Sequence, residues 1–396
     1  MPAPIRSIVE RLASLRLTVV LLLLAMVLVI IATLDQVHLG IWAVQAKYFR
    51  SFFVVQQLPG TGVSIPFFPG GYLVGGALLL NLLCAQFLRF TLTWRNVGLH
   101  LTHFGLILLL VGELLTGLLS VESNMTIDTG ETRNYAEDAF ARELAIVDTT
   151  EPGFDQVWSV PVSRLARRAP IALPGCPLTL LPVQFHENAN FAMRSDAPNA
   201  PASPATLGFG PQIVVAPAEP TYRPNEENAP TAFVEIRGPD GLVGTLLASL
   251  AIERPQTFTA AGRTYAITLR RTRIYFDFAL TLLEFRHDKY PGTEIPRNFS
   301  SRVRLRSADG AEDREVRIFM NNPLRHGGHT FYQSGFKNND RTTVLQVVRN
   351  PGWLLPYIAC VMSGVGLLYH FGSTLVGFLQ RRRPAATTPA SSTAAA

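Results

Sequence analysis

The residues with the means to do chemistry sit where chemistry is least expected, inside stretches that otherwise read as hydrocarbon. His100, His103 and Glu113 lie in the apolar run 97–119, VGLHLTHFGLILLLVGELLTGLL, and His370 lies in the later run 353–379. Imidazole and carboxylate groups are costly in a bilayer, so at such positions they face protein or water and are candidates for function. His100 and His103 are three residues apart and share a helix face. His103 follows Arg95 by eight residues, about 12 Å into the run, and His370 precedes Arg381 by eleven, about 16 Å from the same end of an antiparallel helix. Two imidazoles at matched depth have the chemistry to grip an iron porphyrin, because histidine is a regular axial ligand of haem iron. The bland alternative stays open: a membrane histidine often only hydrogen-bonds a neighbouring helix. Glu113, about 15 Å beyond His103, answers an arginine, serves a proton path or sits protonated.

A second group of candidates lies outside the apolar runs. Residues 320–336 read MNNPLRHGGHTFYQSGF, with His326 and His329 bracketing Gly327 and Gly328. The glycines let the backbone turn sharply. Such a turn brings the two rings together, presents one of them to a ligand at the membrane surface, or is only a turn. No cysteine and no HExxH pattern completes a zinc site there. No Walker loop, Rossmann glycine pattern, Ser/His/Asp order or paired-carboxylate signature occurs. Arg270, Arg271 and Arg273 form a basic strand segment, either a solvated face or an anion contact. His38 opens the first long loop.

Four apolar runs, 17–34, 72–90, 97–119 and 353–379, must position the membrane candidates. Each is long enough to span a bilayer. The first, read as a retained anchor, shows no small-x-small cleavage site. Arg6, Arg11 and Arg16 precede it, Arg89 and Arg95 flank the turn between the second and third, and Arg381, Arg382 and Arg383 follow the fourth. Arginine in short flanks marks the cytoplasmic side. The expectation is therefore an integral membrane protein of four transmembrane α-helices, in a bacterial plasma membrane, with both termini cytoplasmic. A large β-rich extracytoplasmic domain, residues 120–350, is inserted between helices 3 and 4, in a diderm bacterium within the periplasm. The membrane part takes 1–119, the fourth span 351–380, and 381–396 form a disordered tail. The net charge of +6 belongs largely to the flanking arginines, so nucleic acid is not a partner, whereas membrane lipid is. Cys84 and Cys360 fall within spans and Cys176 stands alone in the insert, which excludes a disulfide scaffold and a CxxC oxidoreductase.

Within the insert, apolar and polar residues alternate at 143–148, 212–216, 232–236, 265–269 and 302–305. Turn signals at 239–241 and 308–310 separate such segments. An antiparallel sandwich or open barrel is expected. A proline-rich stretch, 197–230, is expected to lie extended with little regular structure. The aromatic loop 35–71 is expected either at the membrane interface or as an ordinary packed loop.

The layout resembles the ResB (CcsB) family of the System II cytochrome c biogenesis pathway. The carriers of the resemblance are LASLRLTVVLLLLAMVLVIIATL, LLLNLLCAQFLR, GLHLTHFGLILLLVGELL, EFRHDKYPGTEIPRNFSSRVRL, MNNPLRHGGHTFYQSGF and VVRNPGWLLPYIACVMSGVGLL. It implies a partnership with a CcsA/ResC-type membrane protein bearing a tryptophan-rich WWD segment. Together the two would carry haem b across the membrane and attach it to the CxxCH motif of apocytochrome c. The chain's tryptophans, Trp42, Trp94, Trp158 and Trp353, stand singly, so it would be the ResB half, an accessory subunit of a haem lyase. Carried over, the role of axial ligand to haem iron falls on His103 in THFG; His100, His370 and His329 are further candidates for holding the cofactor. Arg270, Arg271 and Arg273 would then be placed to meet propionates. The alternative is a membrane-tethered β-domain that scaffolds an envelope or respiratory complex and binds no cofactor.

Overall fold

The computed structural model describes residues 3–57, 63–91, 93–221, 226–293, 296–338 and 340–382. The chain divides into two compact units. A helical unit is drawn from both ends of the chain, up to Ser120 and from Asn350 onward, and a β unit comprises Val121–Arg349. Arg383 and the rest of the expected tail lie outside the described residues, as do positions 222–225 of the proline-rich stretch.

The helical unit contains α1 (Ala3–Leu12), α2 (Leu15–Val44), α3 (Gly71–Arg89), α4 (Val97–Leu119) and α5 (Leu355–Arg382). Helices α2 to α5 are long and apolar enough to cross a membrane. The break between α1 and α2 is fixed by polar groups. The Ser14 side chain caps the Leu17 amide. Asn81, 3% exposed in α3, donates to the Leu12 carbonyl and accepts from the Thr18 hydroxyl at 2.7 Å. The seam between α4 and α5 is built on small residues, which let backbones approach. A Cβ at Gly98 would stand 2.7 Å from the Gly366 carbonyl oxygen, one at Gly105 2.8 Å from that of Ala359, and one at Gly112 3.0 Å from Leu355 Cβ.

The first apolar run continues past residue 34. Gly40, at φ 74° and ψ 166°, breaks α2 and turns the chain back. The following segment ends in a π-turn, Gln45–Phe49. Val44 and Tyr48 thereby pack on Leu28 and Ala32. Lys47 and the Tyr48 hydroxyl both donate to Asp35 Oδ2, each at 2.8 Å. The aromatic loop then forms a hairpin, β1 (Phe53–Gln57) with β2 (Ser64–Pro69).

The β unit runs β3 (Val121–Asp128), β4 (Thr132–Asp148), β5 (Gln156–Pro161), β6 (Ile171–Ala172), β7 (Thr179–His186), β8 (Ala189–Met193), β9 (Ile213–Pro217), β10 (Thr231–Gly238), β11 (Gly241–Ser249), β12 (Gln256–Ala260), β13 (Arg263–Lys289), β14 (Pro296–Ser307), β15 (Asp313–Phe319), β16 (Leu324–His326), β17 (His329–Lys337) and β18 (Thr342–Arg349). The turn signals at 239–241 and 308–310 fall between β10 and β11 and between β14 and β15.

Sandwich and near-barrel both occur in this unit. One core packs the sheet β11-β10-β7-β6 against the first part of β13 with β4, β5 and β12, around Leu144, Ile146, Leu180, Val234, Ile236, Leu246 and Tyr265. A second lies within the curved path β15-β14-β13-β4-β3-β18-β17-β16, around Met125, Phe278, Leu282, Val303, Leu305, Phe331 and Leu345. The long strands β4 and β13 pass through both cores. Their pairing slips between Arg271 and Arg273 and again between Tyr275 and Leu280. Irregularities of this kind bend a strand and re-aim its side chains. The stretch 197–230 is not all irregular: the alternating segment at 212–216 lies largely in Ile213–Pro217, which pairs with Ala189–Met193 because IVVA is apolar enough to cover Phe233 and Leu247.

Candidate functional site

The three membrane histidines have different surroundings. His100, 6% exposed, is held at both ring nitrogens. The Gln86 amide nitrogen lies 2.8 Å from Nδ1 and the Thr91 carbonyl 3.0 Å from Nε2. The network assigns the proton to Nε2, where it goes to the carbonyl. Phe90 lies across the ring at 4.8 Å. His100 thus fastens the turn between α3 and α4, and neither nitrogen is open to a metal. Gln86 was legible in CAQFLR but carries no signal of its partner at that distance along the chain.

His103, half-buried, makes no hydrogen bond among the described residues. It stands five residues beyond Gly98, hence about 140° round the helix from the face that meets α5. His370 packs on that face, its Cβ 3.0 Å from where a Gly98 Cβ would be. Its Nδ1 is buried and unbonded, while its carbonyl accepts from Ser373 and Thr374. His103 and His370 therefore occupy different sides of α4, and this chain alone does not bring them to one site. Matched depth sets height along a bundle but not azimuth. Beside His103 in sequence, Phe104 and Ile107 help to line an open apolar groove of about 760 Å³ with Val9, Leu83, Gln86 and Phe87. Glu113 is exposed on α4, and His38 is exposed on α2.

The HGGH segment is a two-residue hairpin turn, with Gly327 at φ 56° and Gly328 at φ 74°. Both glycines occupy left-handed backbone, as a type I′ turn requires. His326 and His329 are cross-strand partners on an aromatic floor. His326 meets Phe278 edge-on at 4.6 Å and His329 meets Phe276 at 4.9 Å. His329 Nδ1 donates to the Gly327 carbonyl at 2.8 Å, which leaves Nε2 as the open lone pair. His326 Nδ1 lies 3.4 Å from Glu312. Among the described residues no group of three metal-ligating side chains gathers.

The arginine segment is consumed internally. Arg270 pairs with buried Glu143 at 2.9 Å, Arg271 with Glu227 at 2.6 Å, and Arg273 lies 3.7 Å from Glu137 and over the Tyr135 ring. Burial raises the Glu227 carboxyl, but Arg271 and Arg142 outweigh it and hold the group below its ordinary 4.5. Each of the three thus has a carboxylate of this chain as its neighbour.

Apolar helices of spanning length that carry histidines, with a two-core β unit between two of them, define a membrane-associated protein whose bulk is a β-domain. Residues 242–344, from β11 into β18, match the ResB-like family. The protein NrfI of Wolinella succinogenes is 32% identical over 93 residues, a stretch that covers 24% of this chain and 10% of that relative. Over this stretch the chain is similar to ResB-like proteins. The family match lies wholly in the β unit and includes His326 and His329 but none of the membrane histidines.

Proposed function

We propose that this chain binds haem within the membrane and presents it for covalent attachment to apocytochrome c, as one component of a System II cytochrome c synthase with a CcsA/ResC-type partner. The kinship with ResB-like proteins supports the pathway. The observation that carries the haem reading is His103, an imidazole about two turns into an apolar helix with neither ring nitrogen hydrogen-bonded among the described residues. A neutral imidazole with a free lone pair suits an axial site on iron. His100 does not fit that role, because both its nitrogens are engaged. His329, with Nδ1 engaged and Nε2 unbonded, and His370, whose buried Nδ1 has no hydrogen-bond partner, remain secondary candidates.

His103 would hold the iron from this chain's side. When bound, haem supplies the vinyl groups that become thioethers with the two CxxCH thiols. This chain's part is to hold and orient. On this reading the arginine-flanked helix ends are cytoplasmic and the β unit is extracytoplasmic.

The test is spectroscopic. Purified with its CcsA/ResC-type partner, the protein should show a Soret band that His103→Ala abolishes and His100→Ala lowers only in proportion to lost folded protein. A preparation free of haem, with c-type cytochromes still maturing in a deletion strain, would instead support a tethered scaffold.

A further inference from the structure

The outward face of β13, β14 and β15 gathers arginines around a hollow. Glu284, Arg302 and Arg317 are cross-strand neighbours in one row, and Arg286 and Ser300 are neighbours in the next. Residues opposite one another in an antiparallel sheet share a face. These five line a polar cleft of about 380 Å³. Ser300, 3% exposed, forms its floor, while the three arginines stand around it open to solvent.

The cleft holds more donors than its own acceptors can take. Arg286 Nε donates to Glu284 at 2.6 Å, and Arg302 donates from Nη1 to Glu315 at 3.2 Å with its Nε 3.5 Å from Glu284. Arg317 has no carboxylate partner among the described residues. Its Nη2 donates to Ser300 Oγ at 3.2 Å, and its guanidinium lies 5.6 Å from the centre of the Phe319 ring. Ser300 is therefore an acceptor there, and among the described residues its hydroxyl hydrogen goes to no other group. Arg286, with Arg302 and Arg317 beyond it, holds the Glu284 carboxyl below its ordinary 4.5. Guanidiniums do not deprotonate, so titration cannot relieve the excess. Water answers such donors on an open surface, but a concave site lined by one sign of charge concentrates the field and favours an anion.

We propose that this cleft is a binding site for a phosphate group, held by Arg286, Arg302 and Arg317 with the Ser300 hydroxyl donating from the floor. Guanidinium and phosphate pair through parallel charge-assisted hydrogen bonds. Geometry selects phosphate over carboxylate. The donors come from three strands and from below, and a tetrahedral group turns an oxygen towards each, whereas the two oxygens of a carboxylate lie in one plane. A phosphate also brings about −1.5 to −2 of charge and three acceptor oxygens. Free phosphate, a soluble phosphate monoester and the headgroup of phosphatidic acid share this chemistry. The site belongs to the β unit and does not depend on haem.

The experiment titrates the full-length protein, in nanodiscs of phosphatidylcholine, with sodium phosphate at constant ionic strength in a calorimeter. The wild type should give a saturable heat with one phosphate per chain. Arg317→Gln should weaken binding about tenfold or more, and Ser300→Ala about threefold. Arg304→Gln is the control: its guanidinium lies outside the cleft on β14, held by Asp313 at 2.6 and 2.7 Å, and the variant should bind as the wild type does. Thermal melts of each protein separate lost binding from lost fold; should Ser300→Ala melt early, Arg317→Gln on the exposed rim carries the test. Discs made with phosphatidic acid distinguish the sources. If they block the phosphate titration of the wild type and not its residual in Arg317→Gln, the lipid headgroup occupies the cleft; if the titration is unchanged, the ligand is soluble. Absence of a saturable heat, equal weakening by Arg304→Gln and Arg317→Gln, or uptake of succinate in preference to phosphate would each overturn the proposal.

Discussion

At the scale of the residue, His100 and His103 demonstrate how little a side chain's type says about its use. They are three apart on one helix, and what reaches each from outside decides its role. The Gln86 amide and Thr91 carbonyl take both nitrogens of His100. His100→Ala would leave the buried Gln86 amide without its partner, a loss of about 1–3 kcal/mol. The expected readout is a lower unfolding temperature of the detergent-purified protein, with His103→Ala close to wild type. The β unit offers a pH test. The Thr150 hydroxyl and then Arg263 hold the Asp148 carboxyl below its ordinary 3.8. A depressed carboxyl stabilises the fold above its unfolded-state value and loses that contribution as pH falls through the folded one. The wild type should therefore lose thermal stability below about pH 4 more steeply than Asp148→Asn. Equal slopes in the two proteins would refute the assignment. Both histidines were legible as candidates, but their sorting was not, because Gln86 and Thr91 are remote in sequence.

At the scale of the element, the instructive case is the contact between α4 and α5. Gly98, Gly105 and Gly112 recur every seven residues, and each faces α5. That repeat was open to reading as a helix-packing stripe, yet it does not name the helix it meets. Replacing Gly98 with leucine drives a side chain into the Gly366 carbonyl and His370; overpacking of this kind costs about 1–3 kcal/mol. Gly117→Leu, with nothing within 4 Å of the added carbon, is the control and should unfold at the wild-type temperature. A similar loss in both variants would show that the seam is not what the added leucine disturbs. The α2 helix makes the complementary point. Its apolar run announced a span, but one glycine in left-handed backbone turned the chain back and set Tyr48 and Lys47 on Asp35.

At the scale of the whole molecule, the β unit is closed by its own ends. β3 pairs with β18 in register from Val121 opposite Arg349, so the first and last strands of the insert lie side by side. A domain that satisfies its own termini and holds two cores should fold alone. Residues 121–349 expressed as a separate protein are expected to be soluble, rich in β-structure and cooperative in thermal unfolding; aggregation or a non-cooperative melt would show that the helical unit is needed. Residue order by itself determined the apolar runs, the β-rich insert, the turn positions and the short set of histidines worth weighing. These follow from composition and period, which are local. Only the tertiary structure decided that one insert holds a sandwich and a near-barrel joined by two long strands. It alone decided that His100 is bound up while His103 is not, and that His103 and His370 stand on different sides of one helix. Those outcomes depend on azimuth, register and strand bending, which are set by contacts between residues far apart in the chain.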